Sequence, residues 1–182
     1  MVVLTIYTIG HSTRPIEEFI EMLKARGIEL LVDIRTIPKS AHNPQYMQDA
    51  LRESLEAAGI RYEYMKNLGG LRSSKKDSVN TGWRNKSFRS YADYMQSDAF
   101  KEGVEELIEK AKGARSAIMC AEAVPWRCHR SLVGDALLVR GVKVVDIMSL
   151  QSEKEHALTS FAHVESTEIT YPAQDEQPKL PL

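Results

Sequence analysis

The sequence contains only two cysteines, Cys120 and Cys128, too few for the disulfide framework that stabilises many small secreted domains. It also lacks any apolar run near the roughly 20 residues that a membrane-spanning helix needs. Its first residues lack the basic start and apolar core of a signal peptide, so we expect a cytoplasmic protein without a membrane partner. The formal net charge is −1, so the overall charge gives no argument for binding to DNA or RNA.

The composition is that of an ordinary globular protein, with 43% hydrophobic and 27% charged residues in a chain of 182. A chain of this length can bury roughly 70% of the surface that it exposes when unfolded, which suffices for one full core. We predict a single domain over residues 1–150. The polar residues 151–182 are predicted to form a C-terminal extension that is partly disordered.

Strand-like and helix-like patterns alternate along the chain. Five apolar runs are predicted to be strands, at residues 4–9, 30–34, 60–65, 115–121 and 142–148. Segments between them place apolar residues at the three- and four-residue spacing of amphipathic helices. This alternation predicts an α/β three-layer sandwich of the Rossmann-like kind, in which a mainly parallel five-stranded sheet carries helices on both faces. We predict the strand order 3-2-1-4-5, with an additional strand at residues 168–171.

The chemically densest part of the chain runs from Ser116 to Arg130. It begins as a buried strand and continues into a predicted helix, and between them it places Cys120, Glu122, Arg127, Cys128, His129 and Arg130. Open α/β proteins keep their sites in this position, at the carboxyl ends of strands. In the predicted strand order the fourth strand lies beside the first, so residues 10–12 are expected to face the same crevice.

Six short motifs, each near the end of a predicted strand, together resemble the family called domain of unknown function 488. These are Thr8-Ile-Gly-His-Ser12, Asp33-Ile-Arg35, Pro38-Lys-Ser40, Leu68-Gly-Gly70, Met119-Cys-Ala-Glu122 and Cys128-His-Arg130. The resemblance covers about residues 4–148 and implies a small α/β domain found mainly in microbes, without supplying a reaction. Within these motifs, Ser12, Ser40, Gly69 and Gly70 are predicted to contribute to substrate binding.

The two cysteines allow three interpretations. Cys128 is expected near a helix N-terminus, where the helix dipole and neighbouring arginines favour the thiolate of a nucleophile, and Cys120, at a strand end before a loop that could hold an anion, is the other candidate nucleophile. Packing in the core is the alternative for both residues. A metal site formed by Cys120, Cys128 and His129 is a further alternative, because thiolate and imidazole suit zinc or iron. The spacing matches no standard zinc knuckle.

Arginine gives the strongest functional pattern. Arg35, Arg127 and Arg130 follow predicted strands, and Arg72 and Arg84 lie in a long segment without periodicity. The guanidinium group is suited to bidentate contact with phosphate or carboxylate. We therefore predict an anion site in which Arg35, Arg127 and Arg130 bind the substrate.

His11, Glu122, Cys128 and His129 are the predicted catalytic residues, with His11 and Glu122 as the proton-transfer groups. Together with the arginines they predict an enzyme that acts on a phosphate-bearing substrate, either a nucleotide or a nucleic acid. A non-catalytic nucleic-acid-binding module and a Cys/His metal-binding protein are the alternatives. The sequence indicates no cofactor and no oligomeric state.

Overall fold

The computed structural model describes residues 2–70 and 72–173. Eight strands and five α-helices occur in this part of the chain. In chain order they are β1 (Thr5–Gly10), α1 (Ile16–Lys24), β2 (Leu30–Asp33), α2 (Gln48–Ala57), β3 (Arg61–Tyr64), α3 (Lys86–Tyr94), α4 (Asp98–Gly113), β4 (Ser116–Cys120), α5 (Arg130–Leu138), β5 (Lys143–Ile147), β6 (Glu153–Glu155), β7 (His163–Glu165) and β8 (Glu168–Thr170).

Six strands form one mainly parallel sheet in the order β3-β2-β4-β1-β5-β6, in which only β6 runs antiparallel to its neighbour. The predicted fold class is therefore confirmed, with one more strand than expected. The predicted order 3-2-1-4-5 is wrong, because β4 inserts between β2 and β1 and pairs with both. The alternation of strands and helices gives their number but carries no information on which strands pair. The predicted pairing of β1 with β4 is confirmed.

Helices cover both faces of this sheet, because successive strand residues point to opposite sides. Ile6, Val32 and Ile118 face a core formed with α3, α4 and α5. Tyr7, Leu31 and Met119 face a second core, formed with α1 and α2. The loops after β1 and β4 consequently leave the same edge of the sheet toward opposite faces. Residues 10–12 do not line a crevice between these loops as expected, because His11 and Ser12 hydrogen-bond the backbone of the β4 loop.

The segment after residue 150 packs on this domain as far as it is described. β6 pairs with β5, and the extra strand expected at residues 168–171 is present as β8, paired with β7. Tyr171 is completely buried in the core formed with α3, α4 and α5. The disorder predicted for the end of the extension concerns residues 174–182, which lie outside the described residues. No helix among residues 2–70 and 72–173 is long and apolar enough to cross a membrane.

Candidate active site

A cavity of about 490 Å³ opens beyond the carboxyl ends of β2 and β4. Three chain segments line it: the loop after β2, the start of α3, and the turn that joins β4 to α5. From these segments the lining includes Arg35, Thr36, Ile37, Lys39, Asn85, Ser87, Phe88, Tyr91, Cys120, Ala121, Glu122, Arg127, Cys128 and His129, with Gly70 between the first two segments. This is the edge of the sheet at which the sequence predicts a site.

A close backbone contact holds the loops after β1 and β4 together. The His11 and Ser12 N–H groups donate to the carbonyls of Cys120 and Ala121 at 3.0 and 2.9 Å. A Cβ atom on Gly10 would lie only 1.7 Å from the Glu122 carbonyl oxygen, so any side chain at position 10 would displace the β4 loop. Position 10 therefore requires glycine, because a side chain has no room there. The two loops are held against each other by this contact.

Arg35 is buried and held by protein groups. Its guanidinium forms a forked ion pair with the buried Asp33 carboxylate, with an Nη2–Oδ2 distance of 2.7 Å. Its Nη1 donates to the Tyr46 carbonyl at 2.7 Å, and the Tyr62 hydroxyl donates to Asp33. The charge of Arg35 is thus largely compensated, although the residue lines the cavity.

His11 belongs to the same buried cluster. Its ring stacks on Tyr46 with centroids 4.1 Å apart, and burial is the main cause that lowers the pKa of His11 to about 4. Nδ1 donates to the Ser12 carbonyl at 2.8 Å, which leaves Nε2 to face Arg35 Nη1 at 3.4 Å as an acceptor. This geometry makes His11 a positioning group for Arg35, and its predicted role in proton transfer stays a prediction.

Arg130 has no exposed surface. Its guanidinium donates to Thr8 Oγ1 at 3.2 Å and to the carbonyl oxygens of Glu122 and Ala123 at 3.2 and 3.4 Å. It ties β1 and the β4 loop to α5, and its Nε has no hydrogen-bond partner among the described residues. The contacts assign Arg130 to the support of the site, while its predicted contact with an anion stays a prediction.

Cys128 and His129 lie at the start of α5. The Arg130 backbone N–H donates to Cys128 Sγ at 3.5 Å, and the sulfur lies 3.6 Å from His129 Nδ1. His129 Nε2 is 2.9 Å from the Ile34 carbonyl oxygen, so Nε2 carries the proton and Nδ1 is left as an acceptor. Burial lowers the pKa of His129 to about 4, which keeps the ring neutral near pH 7. A thiol, an acceptor nitrogen and an orienting carbonyl thus adjoin one another at the cavity. The thiolate expected for Cys128 is not favoured, because burial and the neighbouring Cys120 raise the pKa of this thiol well above its usual value.

Three exposed charged side chains surround this buried floor: Lys39, Glu122 and Arg127. None of them has an ion-pair partner within residues 2–70 and 72–173. The cavity therefore combines a neutral, buried floor with two available cations and one available carboxylate at its rim.

A family model described as domain of unknown function DUF488 matches residues 15–137, which is more than half of the chain. The protein belongs to the DUF488 family. No curated protein and no solved structure gives a match. Membership confirms the resemblance seen in the sequence motifs and assigns no reaction.

The DUF488 motifs meet at this one edge of the sheet. Gly70 approaches His129, since a Cβ there would lie 3.2 Å from Nδ1, and Gly69 packs equally closely on Thr36. Ser12 has a left-handed backbone, with φ of 49°, in the loop after β1. Ser40 lies farther out, where its hydroxyl accepts the Asn43 N–H at 3.2 Å. Of these, only Gly70 lines the cavity, so substrate binding by the others stays a prediction.

The proposed metal ligands do not gain support from the geometry. Within the described part of the chain, His, Cys, Asp and Glu side chains form no group of three or more that could hold a metal ion.

Sequence reasoning missed the wall formed by the start of α3. Asn85 caps this helix by accepting the Ser87 and Phe88 N–H groups at 2.8 and 3.2 Å, and Tyr91 lies one turn further along. The segment before α3 is anchored by Asn80, which is completely buried and bonds Asp93 at 2.7 Å. Asn85, directly before the helical pattern, indicates where α3 begins. The sequence does not indicate that the start of this helix faces the cavity.

Proposed function

We propose that this protein is an enzyme that acts on a phosphate-bearing substrate, a nucleotide or a nucleic acid, in the cavity at the ends of β2 and β4. The observation that carries the proposal is the pair of cations at the rim. Arg127 and Lys39 are exposed, line the cavity and have no ion-pair partner among the described residues. A guanidinium group that is free of internal contacts is available for bidentate contact with phosphate.

A basic segment extends the positive charge beyond the cavity. Lys75, Lys76, Arg84 and Lys86 are exposed, and no ion pair of theirs lies within the described ranges. The segment leads directly into Asn85 and Ser87 at the cavity wall. Exposed cations on the segment that leads into the cavity wall favour a polyanion or a nucleotide with several phosphates.

Trp126 supplies a surface for a base next to Arg127. It is 60% exposed and lines a smaller cavity of about 270 Å³ on the other side of the turn Pro125–Arg127. Trp83 is different, because it packs against Phe88 and Phe161 with ring centroids 4.9 and 4.8 Å away. Exposed aromatic rings beside cations are the means by which proteins bind single-stranded nucleic acids.

Catalysis would fall to the groups on the floor and rim. Cys128 is the proposed nucleophile: its thiol is protonated at rest, and His129 Nδ1, 3.6 Å from the sulfur, would take that proton as the sulfur attacks. Glu122 is the exposed carboxylate that would exchange a proton with the substrate. The alternative is a non-catalytic nucleic-acid-binding module. The basic segment favours this alternative, because its cations lie outside the group of residues proposed for catalysis.

The binding test uses Arg127→Ala with Arg61→Ala as the matched control. Arg61 is equally exposed but begins β3, at the opposite edge of the sheet. Calorimetric titration at low salt with pyrophosphate, an adenine nucleotide and a single-stranded oligonucleotide should show a loss of about tenfold or more in affinity for Arg127→Ala alone. Absence of binding by the unaltered protein, or equal affinities in both variants, would contradict the proposal.

The test of catalysis follows phosphorus-31 signals in mixtures of nucleotides and short oligonucleotides. New signals should appear with the unaltered protein and be lost in Cys128→Ser and Glu122→Gln, while binding is retained. Binding without any new signal would favour the non-catalytic alternative.

A further inference from the structure

The only two cysteines of the chain lie together on the cavity floor. Cys120 ends β4, and Cys128 follows the turn Pro125–Arg127 that brings the chain back over it. Both are free thiols, buried to 2% and 6% exposure, and both line the 490 Å³ cavity. The two side chains line the same wall of this cavity, and each influences the pKa of the other. The proposed function uses Cys128 alone and leaves Cys120 without a role.

The surroundings make the two thiols unequal. Burial raises the pKa of Cys120, but hydrogen bonding from Cys128 and the charge of Arg130 outweigh it, so that the net pKa is lowered. Burial raises the pKa of Cys128, and the neighbouring Cys120 sulfur raises it further. The pair therefore favours a thiolate on Cys120 and a proton on Cys128, beside the acceptor nitrogen of His129.

We propose that Cys120 and Cys128 form a redox-active dithiol that small hydroperoxides oxidise to a disulfide. Both thiols line one open cavity that a small peroxide can enter. The inference does not require a phosphate-bearing substrate, so either proposal can fail without the other.

The chemistry balances in two steps. The Cys120 thiolate attacks one peroxide oxygen, the O–O bond breaks, and the leaving oxygen takes a proton as alcohol or water, which converts Cys120 to a sulfenic acid. The Cys128 sulfur then attacks the Cys120 sulfur, an S–S bond forms, and hydroxide leaves with the Cys128 proton as water. Two electrons pass from the dithiol to the peroxide. A small thiol or a dithiol reductant returns the pair to its reduced form by exchange.

The test begins with the full-length protein, reduced, freed of reductant and treated with one equivalent of hydrogen peroxide. Its intact mass should fall by about 2 Da, and neither cysteine should then react with iodoacetamide until reductant is added. Trypsin cleaves after Arg115, Arg127 and Arg130, so the disulfide should join peptides 116–127 and 128–130. This linked pair identifies an intramolecular bond when the protein remains monomeric on a non-reducing gel.

Two variants separate the roles. Cys128→Ser should gain about 16 Da and yield a dimedone adduct on Cys120, because no second thiol resolves the sulfenic acid. Cys120→Ser should react at least tenfold more slowly and give no adduct at Cys128. The proposal is overturned if the unaltered protein retains two alkylatable thiols after peroxide, or if both sulfurs gain oxygen without forming the linked peptides.

Discussion

Gly10 is the residue on which the contact between the β1 and β4 loops depends. We expect Gly10→Ala to lower the free energy of unfolding by about 2 to 4 kcal/mol, since the new Cβ would meet the Glu122 carbonyl at 1.7 Å. The same variant should lose pyrophosphate binding, because Glu122 and Arg127 follow on the displaced loop. Urea denaturation and calorimetry measure the two effects.

Gly113→Ala is the control for this substitution. A Cβ on Gly113, the last residue of α4, would meet nothing within 4 Å. It should leave stability unchanged or raise it by about 0.5 to 1 kcal/mol, because alanine loses less entropy in a helix than glycine does. Equal destabilisation by both variants would show that the close approach at Gly10 is not what holds the loops.

The arginines show how far residue types predict a site. Arg35 and Arg127 line the cavity, whereas Arg72, Arg84 and Arg130 lie outside its lining. Arg35, Arg72 and Arg130, however, are occupied by protein acceptors: the Asp33 carboxylate, the Lys66 and Gly69 carbonyls, and the β4 loop. A sequence shows where a guanidinium group is placed, but not whether the backbone around it leaves carbonyls unpaired. Arg127 and Arg84 are exposed and have no ion pair in the described part of the chain, and of these two Arg127 lines the cavity.

At the scale of elements, the segment after β5 is joined to α5 by a buried polar network. His156 Nε2 lies 2.9 Å from Asp135 Oδ1, and Tyr171, just after β8, donates its hydroxyl to Asp135 Oδ2 at 2.8 Å. We expect Tyr171→Phe to lower the free energy of unfolding by about 1.5 to 3 kcal/mol, since it removes a hydrogen bond to a buried carboxylate.

Urea denaturation checks this, with the midpoint falling and the slope unchanged. An unchanged midpoint would mean that the hydrogen bond from Tyr171 to Asp135 contributes nothing to the stability of the domain. The network was partly foreseeable, because Asp135 interrupts the apolar face formed by Leu132, Val133 and Ala136.

The elements themselves were largely predictable where a buried face left a pattern. The apolar stripe of α1 and the continuous apolar run of β2 are examples. β6 left none, because its three charged residues are all exposed and its pairing rests on backbone hydrogen bonds with β5. The insertion of β4 between β2 and β1 is a property of packing between distant segments, which local periodicity does not record.

For the whole molecule, three histidines predict a stability maximum near pH 6.5 to 7. Burial lowers the pKa of His11 and His129 to about 4, below the unfolded value of 6.5. Unfolded chains then bind more protons, and stability falls as the pH drops from 6.5 toward 4. For His156, burial lowers the pKa but Asp135 and Asp146 outweigh it and raise the pKa to about 9. Its stabilisation is complete below pH 6.5 and is lost as the pH rises through 9.

His156→Gln separates the alkaline limb from the acid limb. It should remove a pH-dependent contribution of about 2 to 3 kcal/mol above pH 6.5 and leave the acid limb in place. His163→Gln, at a histidine that is partly exposed and pairs only with the exposed Glu165, is the control. Denaturation curves from pH 4 to 10 give the comparison, and an alkaline limb that persists in His156→Gln would refute the assignment.

The central claim is that the cavity beyond β2 and β4 binds phosphate through Arg127. The most direct measurement is a crystal structure of the protein with tungstate, a phosphate analogue that anomalous scattering locates unambiguously. We expect tungstate inside the cavity, with an oxygen within hydrogen-bond distance of the Arg127 guanidinium. Tungstate bound only elsewhere on the surface, with this cavity holding none, would contradict it.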